Sequence, residues 1–434
     1  MAFAALLALA LAVPASARSL IRDADIEYAL ARLAQPLIAA AGINPARITV
    51  LVINDDEMNA FVMDGRAVFL NSGLILRLNS AAELQAVIAH EVAHIANGHI
   101  TRRIANRQAA STTAGIAAAL GVAAVLSGDS GAATAALLGG TNSVTRRFLS
   151  HTRAEEAAAD NSALRFMAEA GIDPHAMSDV LDHFRGQESL VPSRQDPYVR
   201  AHPLTRDRIR AVKGLAAALT PAKPADPNAD YWFARAQGKL GAFLRAPQWT
   251  LRRVDRGDTS DVARMRRAVA YHRQSDVSAA LAEIDTLVAE RPNDPFYHEL
   301  RGQILLENRR FSAAIQAYQR AVDLAPSNAL VLAGLGQALL TQEDAASTRR
   351  ALEVLETARS RDARNPRVMR DLAMAYARVG NTGMASLATA ERYALLGRGR
   401  DAHLHAQRAA GALPTGSPGW RRAEDLLTAF KDAT

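Results

Sequence analysis

At 434 residues the chain exceeds what one ordinary hydrophobic core organises, so two domains are expected. Its 49% hydrophobic and 22% charged content is globular rather than disordered, and the lack of cysteine excludes disulfides and cysteine-based zinc sites. The 51 Lys and Arg against 44 Asp and Glu give a net +7, but the charges are scattered and no nucleic-acid motif surrounds them, so no nucleic-acid partner is expected.

In chain order, residues 3–13 form an apolar run followed by Pro14 and the small triplet Ala15-Ser16-Ala17. That pattern reads as a signal peptide over residues 1–17, cleaved to leave Arg18 first, and the run is too short to anchor in a bilayer. Export to the periplasm is the corresponding expectation. Ile26, Leu30, Leu33 and Leu37 recur at helical spacing and predict a helix over 22–41. The β-branched run 48–53 predicts a strand, and 58–62 and 67–70 continue strand character around an Asp64-Gly65 turn. Asn79-Ser80 then offers an N-cap, with Glu83 placed three residues after Ser80 to complete a capping box. The helix so opened is expected to run from Ala81 to about His99.

That helix carries His90-Glu91-Val92-Ala93-His94. Two histidines four apart project from one helical face, close enough for their rings to share one Zn²⁺. Glu91 lies beside them, placed to take a proton from water. The flanking Val87, Ile88, Ala89, Val92, Ala93 and Ile95 are apolar, so the helix is buried, and a buried helix does not carry two His and a Glu without compensation. His99, five residues past His94, points off the metal face by the same helical arithmetic.

Residues 109–128 and 130–145 carry almost no charge but are rich in Ala, Gly, Ser and Thr. They predict a helical hairpin lying on the protein or making peripheral contact with a membrane surface, rather than a spanning one. Helix resumes from Arg153 to Glu169, stopped by Gly171, and contains Glu155-Glu156 and Asp160. A catalytic zinc needs a third protein ligand, and Glu156 is preferred because it alone has an Asp one turn later. Asp160 could then accept a hydrogen bond from the far nitrogen of His90 and fix its tautomer.

Three prolines in 219–228 mark a linker between a domain at 18–218 and another at 229–434. In the second, Ala268, Tyr271, Ala280, Ile284, Leu287 and Pro292 are matched 34 residues later by Gly302, Leu305, Ala314, Tyr318, Ala321 and Pro326. Gly336, Leu339, Ala351, Leu355 and Ala358 form a third copy, and Ala373, Tyr376 and Ala385 a weaker fourth. Small residues at these offsets let paired helices touch, as in the tetratricopeptide repeat. The fold class is therefore an α+β zincin domain followed by an all-α repeat solenoid.

Further matches are Asn59-Ala60-Phe61, Asn71-Ser72-Gly73-Leu74, HEVAHIANGH at 90–99, Thr152-Arg153 with Glu156 and Asp160, and His202-Pro203 with Arg208. With these the chain resembles the gluzincin peptidases that include the prenyl-protein endopeptidases and HtpX. Within them it is most similar to the exported, repeat-bearing branch of β-barrel assembly-enhancing type. The resemblance implies a zinc metalloendopeptidase with one Zn²⁺ held by His90, His94 and Glu156, and Glu91 as general base. It implies that Asn59, Ala60 and Phe61 lie on an edge strand that pairs with substrate. It gives His202 one of two roles, a removable fourth zinc ligand or a donor to the transition state, and leaves Arg208 between oxyanion stabilisation and carboxylate pairing. It also implies misassembled outer-membrane proteins as substrates and the barrel-assembly machinery as partner. The rival reading is a periplasmic chaperone or scaffold acting through its repeats.

Overall fold

The computed structural model describes residues 19–103, 152–191 and 194–431. The expected signal peptide at 1–17 and the hairpin at 109–145 lie outside them. The first unit opens with strand β1 (Ser19–Ile21) and helix α1 (Ala24–Ala40), whose N-cap Asp23 accepts from the Asp25 and Ile26 amides. Strands β2 (Thr49–Asn54), β3 (Ala60–Val62) and β4 (Ala67–Asn71) follow. The sheet order is β1-β2-β4-β3, antiparallel at β1–β2 and β3–β4 and parallel at β2–β4, so β3 is an edge strand. In the register Ala60 faces Leu70 and Phe61 faces Phe69.

Helix α2 (Ser72–Arg77) leads to α3 (Ala81–Ala96), which carries the two-histidine motif. Ser80 caps α3 by accepting the Glu83 amide at 3.2 Å. The reciprocal half of the expected box is displaced by one residue. Glu83 Oε2 accepts the Asn79 amide at 2.9 Å and stands 3.0 Å from His183 Nε2, tying the start of α3 to a distant segment. Helix α4 (Arg153–Ala170) ends at Gly171 as expected, and α5 (His175–Asp182), α6 (Pro197–Ala201) and α7 (Arg206–Ala218) follow. Leu30, Leu33 and Leu37 of α1, Val52 and Leu70 of the sheet, Leu84 and Ile88 of α3, and Leu164 and Met167 of α4 share one core. The motif helix therefore runs through the middle of the unit, buried on nearly every side.

After the linker come α8 (Ala229–Leu244) and α9 (Pro247–Arg253). Helical hairpins then follow as α10 (Asp261–Arg273) with α11 (Val277–Glu290), α12 (Pro295–Glu307) with α13 (Phe311–Leu324), and α14 (Ala329–Leu339) with α15 (Ala345–Arg361). Helices α16 (Pro366–Arg378) and α17 (Thr382–Leu395) pair next, and α18 (Gly399–Ala412) with α19 (Pro418–Ala429) adds a fifth hairpin that the 34-residue pattern did not anticipate. The repeat logic is visible at Gly302, where an added Cβ would lie 2.8 Å from the Tyr318 ring. Only glycine lets α12 and α13 meet this closely.

The linker separates the sequence more cleanly than the cores. Phe233, Ala236 and Leu240 of α8 are buried in the core of the first unit, although α8 lies within the residues expected to form the second. Two cations one turn apart on α8 join the units. Arg235 ion-pairs with Asp25 at 2.6 Å and with Asp294, the N-cap of α12, at 2.6 Å, and Lys239 with Asp23 at 2.9 Å. Arg22 reaches Asp362 at 2.7 Å, and Ala24 packs with Phe296 and Val331. The repeats thus grip the β1–α1 corner. Among the described residues, no helix is long and apolar enough to cross a membrane.

Candidate metal centre

Helical periodicity places His90 and His94 on one face of α3, and in the structure their Nε2 atoms are 3.1 Å apart. Helix α4 presents Glu156 to them, with Oε2 3.4 Å from His90 Nε2 and Oε1 3.4 Å from His94 Nε2. Local chemistry at the start of α4 explains why Glu156 and not Glu155 turns inward. Thr152 caps the helix by accepting the Glu155 amide, and the Glu155 carboxylate accepts the Thr152 amide in return at 2.9 Å. Glu155 also pairs with Arg103 at 3.2 Å. A residue holding a capping box faces away from the next helix, so the neighbouring carboxylate supplies the site.

The fourth group is His202, which caps the end of α6 with its amide on the Tyr198 carbonyl at 2.7 Å. Its Nδ1 is 3.2 Å from His90 Nε2 and 3.1 Å from Glu156 Oε1. Its Nε2 lies 3.3 Å from the carbonyl oxygen of Ala60 and 3.5 Å from Glu91 Oε1. Donation from Nε2 to the Ala60 carbonyl leaves the Nδ1 lone pair directed at the cluster, the tautomer that a metal ligand requires. The Asn59 carbonyl bonds to the Asn71 amide of β4, so on this edge strand the Ala60 carbonyl faces outward, towards His202.

One donor atom from each of His90, His94, Glu156 and His202 lies within 4.8 Å of every other, and all four side chains are buried. Among His90 Nε2, His94 Nε2, His202 Nδ1 and Glu156 Oε1, four separations measure 3.1, 3.1, 3.2 and 3.4 Å. Ligands about 2.0–2.1 Å from a tetrahedral Zn²⁺ are about 3.3–3.4 Å apart, so the spacing and the N₃O donor set fit zinc. Without a cation, four inward-facing polar groups in a dry core would be strongly unfavourable. Glu91 lies beside them fully buried, and neither of its oxygens has a hydrogen-bond partner. Burial raises the Glu91 carboxyl, partly offset by His202 and His90, which suits a group that must accept and then release a proton.

Asp160 stands where the spacing predicted, with Oδ1 3.0 Å from His90 Nδ1. Arg208 of α7 pairs with carboxylates, the second of the two readings left open for it. Its Nε and Nη2 donate to Asp160 at 2.6 and 2.9 Å, and Nη1 is 2.6 Å from Glu156 Oε2. Nη1 also donates to the His202 and Pro203 carbonyls at 3.3 Å each, so one guanidinium braces two carboxylates and the His202 loop. Burial alone would raise the Glu156 carboxyl, but His202, Arg208 and His90 together hold it well below the carboxylate range.

Two supporting groups were not anticipated. His99 Nδ1 is 2.9 Å from His94 Nδ1, behind the ligand rather than at the metal. Helical arithmetic points His99 away, but Gly98 adopts φ +68 and turns the chain back. The Asn97-Gly98 pair was the signal for that turn. Tyr198 stacks on Phe184 and lies 4.6 Å from the His202 ring, buttressing the loop. Phe61 stacks on Phe69, so its ring faces the sheet and its backbone lies on the edge strand.

Residues 22–216 match the family model described as Peptidase family M48, and residues 270–399 match the model of the cytochrome c-type biogenesis protein H TPR domain. The chain is 27% identical over 388 residues to the beta-barrel assembly-enhancing protease of Escherichia coli K12, covering 87% of this chain and 77% of that protein. A Yersinia pestis protein of the same name is 26% identical over 70% of this chain and 63% of its own length. The mitochondrial metalloendopeptidase OMA1 of Schizosaccharomyces pombe is 29% identical over 42% of this chain and 51% of that protein. Across the bacterial relatives from Vibrio cholerae, Yersinia pestis and Escherichia coli K12, the chain spans 58–77% of their lengths.

Proposed function

We propose that residues 22–216, which match the model of Peptidase family M48, form a zinc metalloendopeptidase domain, and that the chain degrades misassembled outer-membrane proteins in the periplasm. The observation that carries the proposal is the convergence of His90, His94 and Glu156 beside the buried carboxylate of Glu91, which makes no hydrogen bond. When bound, zinc supplies the Lewis acidity that polarises a peptide carbonyl and acidifies a water. Glu91 takes the proton of the attacking water and delivers it to the leaving amine nitrogen. Asp160 orients His90, and Arg208 positions Glu156 and Asp160 rather than touching substrate.

Substrate enters as an added strand along Asn59-Ala60-Phe61, where the outward carbonyl of Ala60 offers a ladder hydrogen bond. His202 holds that carbonyl and the fourth metal position together, which favours the capping role over the donor role. In this reading the resting site is closed on two counts, and incoming substrate must displace one side chain to open both. The repeats recruit substrates or the barrel-assembly machinery. The names of the Escherichia coli K12 and Yersinia pestis relatives support this setting.

The test is the mature zinc-loaded protein beside Glu91→Gln, incubated with an unfolded outer-membrane β-barrel protein and with its folded form. Cleavage of the unfolded form alone by the wild type is expected. Turnover should fall by roughly 10²–10⁴-fold in Glu91→Gln with zinc retained. Unchanged client processing by Glu91→Gln would instead support a chaperone acting through the repeats.

A further inference from the structure

Away from the metal centre, the joint of α8, α9 and α10 carries a charged surface with no part in the chemistry above. Trp249 of α9 has the guanidinium carbons of Arg245 and Arg253 at 4.0 and 4.5 Å from its ring centroid. Arg266 of α10 lies alongside α8, its Cδ 3.1 Å from where a Cβ on Gly238 would sit. Arg252 and Arg256 are exposed on the same short stretch of chain. Among the described residues, none of these five arginines has a carboxylate within ion-pair distance, whereas the neighbouring Arg267 and Arg264 share Glu283 at 2.6 and 3.5 Å. The fold can supply ion-paired carboxylates here, and it places none within ion-pair distance of this cluster, Asp258 attracting Arg266 only from further off.

An ordinary solvated surface does not account for the arrangement. Favourable interaction with the C-terminus of α9 covers Arg252 and Arg253, which sit in its last turn, but not Arg245, Arg256 or Arg266. Burial and the charge of Arg253 both depress the Arg245 guanidinium, and burial and Arg245 depress Arg266 against a partial offset from Asp258. Like charges held together without an ion-paired carboxylate oppose folding, and an anionic partner removes that opposition.

The apolar neighbours narrow the partner. Leu244, 36% exposed, immediately precedes Arg245, and the Trp249 ring is only partly covered. An indole and an aliphatic side chain among unpaired guanidiniums suit the headgroup layer of a bilayer, where the ring sits at the interface and arginines fork onto phosphates. We propose that the Arg245–Trp249–Arg253 surface binds the phosphate headgroups of an anionic lipid bilayer and holds the chain against that membrane.

The test is co-sedimentation of the full mature chain with vesicles of phosphatidylcholine alone or mixed with phosphatidylglycerol. Binding to the anionic vesicles only is expected, weakening as salt rises. Arg245→Gln with Arg253→Gln should lower the partition coefficient roughly twenty-five-fold, about fivefold per arginine, from about 1 kcal/mol for each cation near a charged surface. Trp249→Ala should weaken binding and Trp249→Phe restore part of it. Arg47→Gln with Arg361→Gln makes the same change of net charge at exposed positions elsewhere and should leave binding unchanged. The proposal is overturned if the wild type ignores anionic vesicles or if the two double variants lose binding equally. It is also overturned if the patch variants lose binding to an acidic peptide while keeping vesicle binding.

Discussion

Asp160→Asn separates support of the metal from support of the fold. Asp160 faces two partners, His90 Nδ1 at 3.0 Å from one oxygen and Arg208, which donates to both oxygens at 2.6 and 2.9 Å. Asparagine keeps the volume but removes the charge. Loss of a carboxylate behind a ligating histidine lowers metal affinity by roughly ten- to a hundredfold, or about 1.4–2.7 kcal/mol. Breaking a buried ion pair outright costs about 3–5 kcal/mol. Arg208 keeps Glu156 at 2.6 Å, so the loss in the metal-free fold should fall below that range. Urea unfolding of both proteins, with zinc in excess and with chelator, yields the two quantities separately. Zinc stabilises the folded state by mass action, so the difference between variants should be about 1.4–2.7 kcal/mol larger with zinc than without. Chelator competition must give the same affinity ratio. Equal zinc affinity, with the same stability loss in both conditions, would show that Asp160 serves Arg208 and does nothing for the metal.

His202→Ala should raise cleavage of casein and self-cleavage while zinc stays bound to the other three ligands, because one substitution frees both the fourth position and the Ala60 carbonyl. A fall of roughly 10²–10³-fold would make His202 a transition-state donor instead. Truncation should depend sharply on where the chain is cut. Ending at residue 228 removes Phe233 and Leu240 from the first core, about 1.5–3 kcal/mol each, and leaves buried Asp25 without Arg235. Those losses consume much of an ordinary domain's stability, so that fragment should be unfolded by circular dichroism. Ending at residue 260 keeps α8 and should preserve zinc binding and generic cleavage while abolishing processing of native substrates. A folded, zinc-binding fragment ending at 228 would show that α8 is dispensable to the core.

The metal centre was legible because most of its geometry is local. His90 with His94, and Glu156 with Asp160, are each four apart on one helix, and 3.6-residue periodicity sets their direction before any tertiary contact forms. The order of the ligands along two helices also follows from the need for a third donor and an open position. Glu156 is preferred to Glu155 in sequence for the Asp one turn later, and the Thr152 capping box that turns Glu155 away is a second local reason, readable in Thr152 and Glu155 themselves. His99 was illegible as a neighbour of His94 while the helix was taken to continue through it, because Gly98 ends that periodicity one residue earlier. The placement of α8 failed for a different reason. Its apolar positions show that one face is buried, but periodicity carries no information on which core receives it. The partners that decide this are remote: Arg235 meets Asp25 across 210 residues, and Arg22 meets Asp362 across 340. A buried Arg and Lys one turn apart on a helix announce that carboxylates must converge on them, since neither charge survives burial alone. Choosing Asp23, Asp25 and Asp294 from 44 acidic residues requires the fold. The same asymmetry makes the Arg245–Trp249–Arg253 surface visible only in three dimensions. In sequence its arginines look balanced by Asp255, Asp258 and Asp261, and only the structure shows that none of those carboxylates forms an ion pair with Arg245 or Arg253.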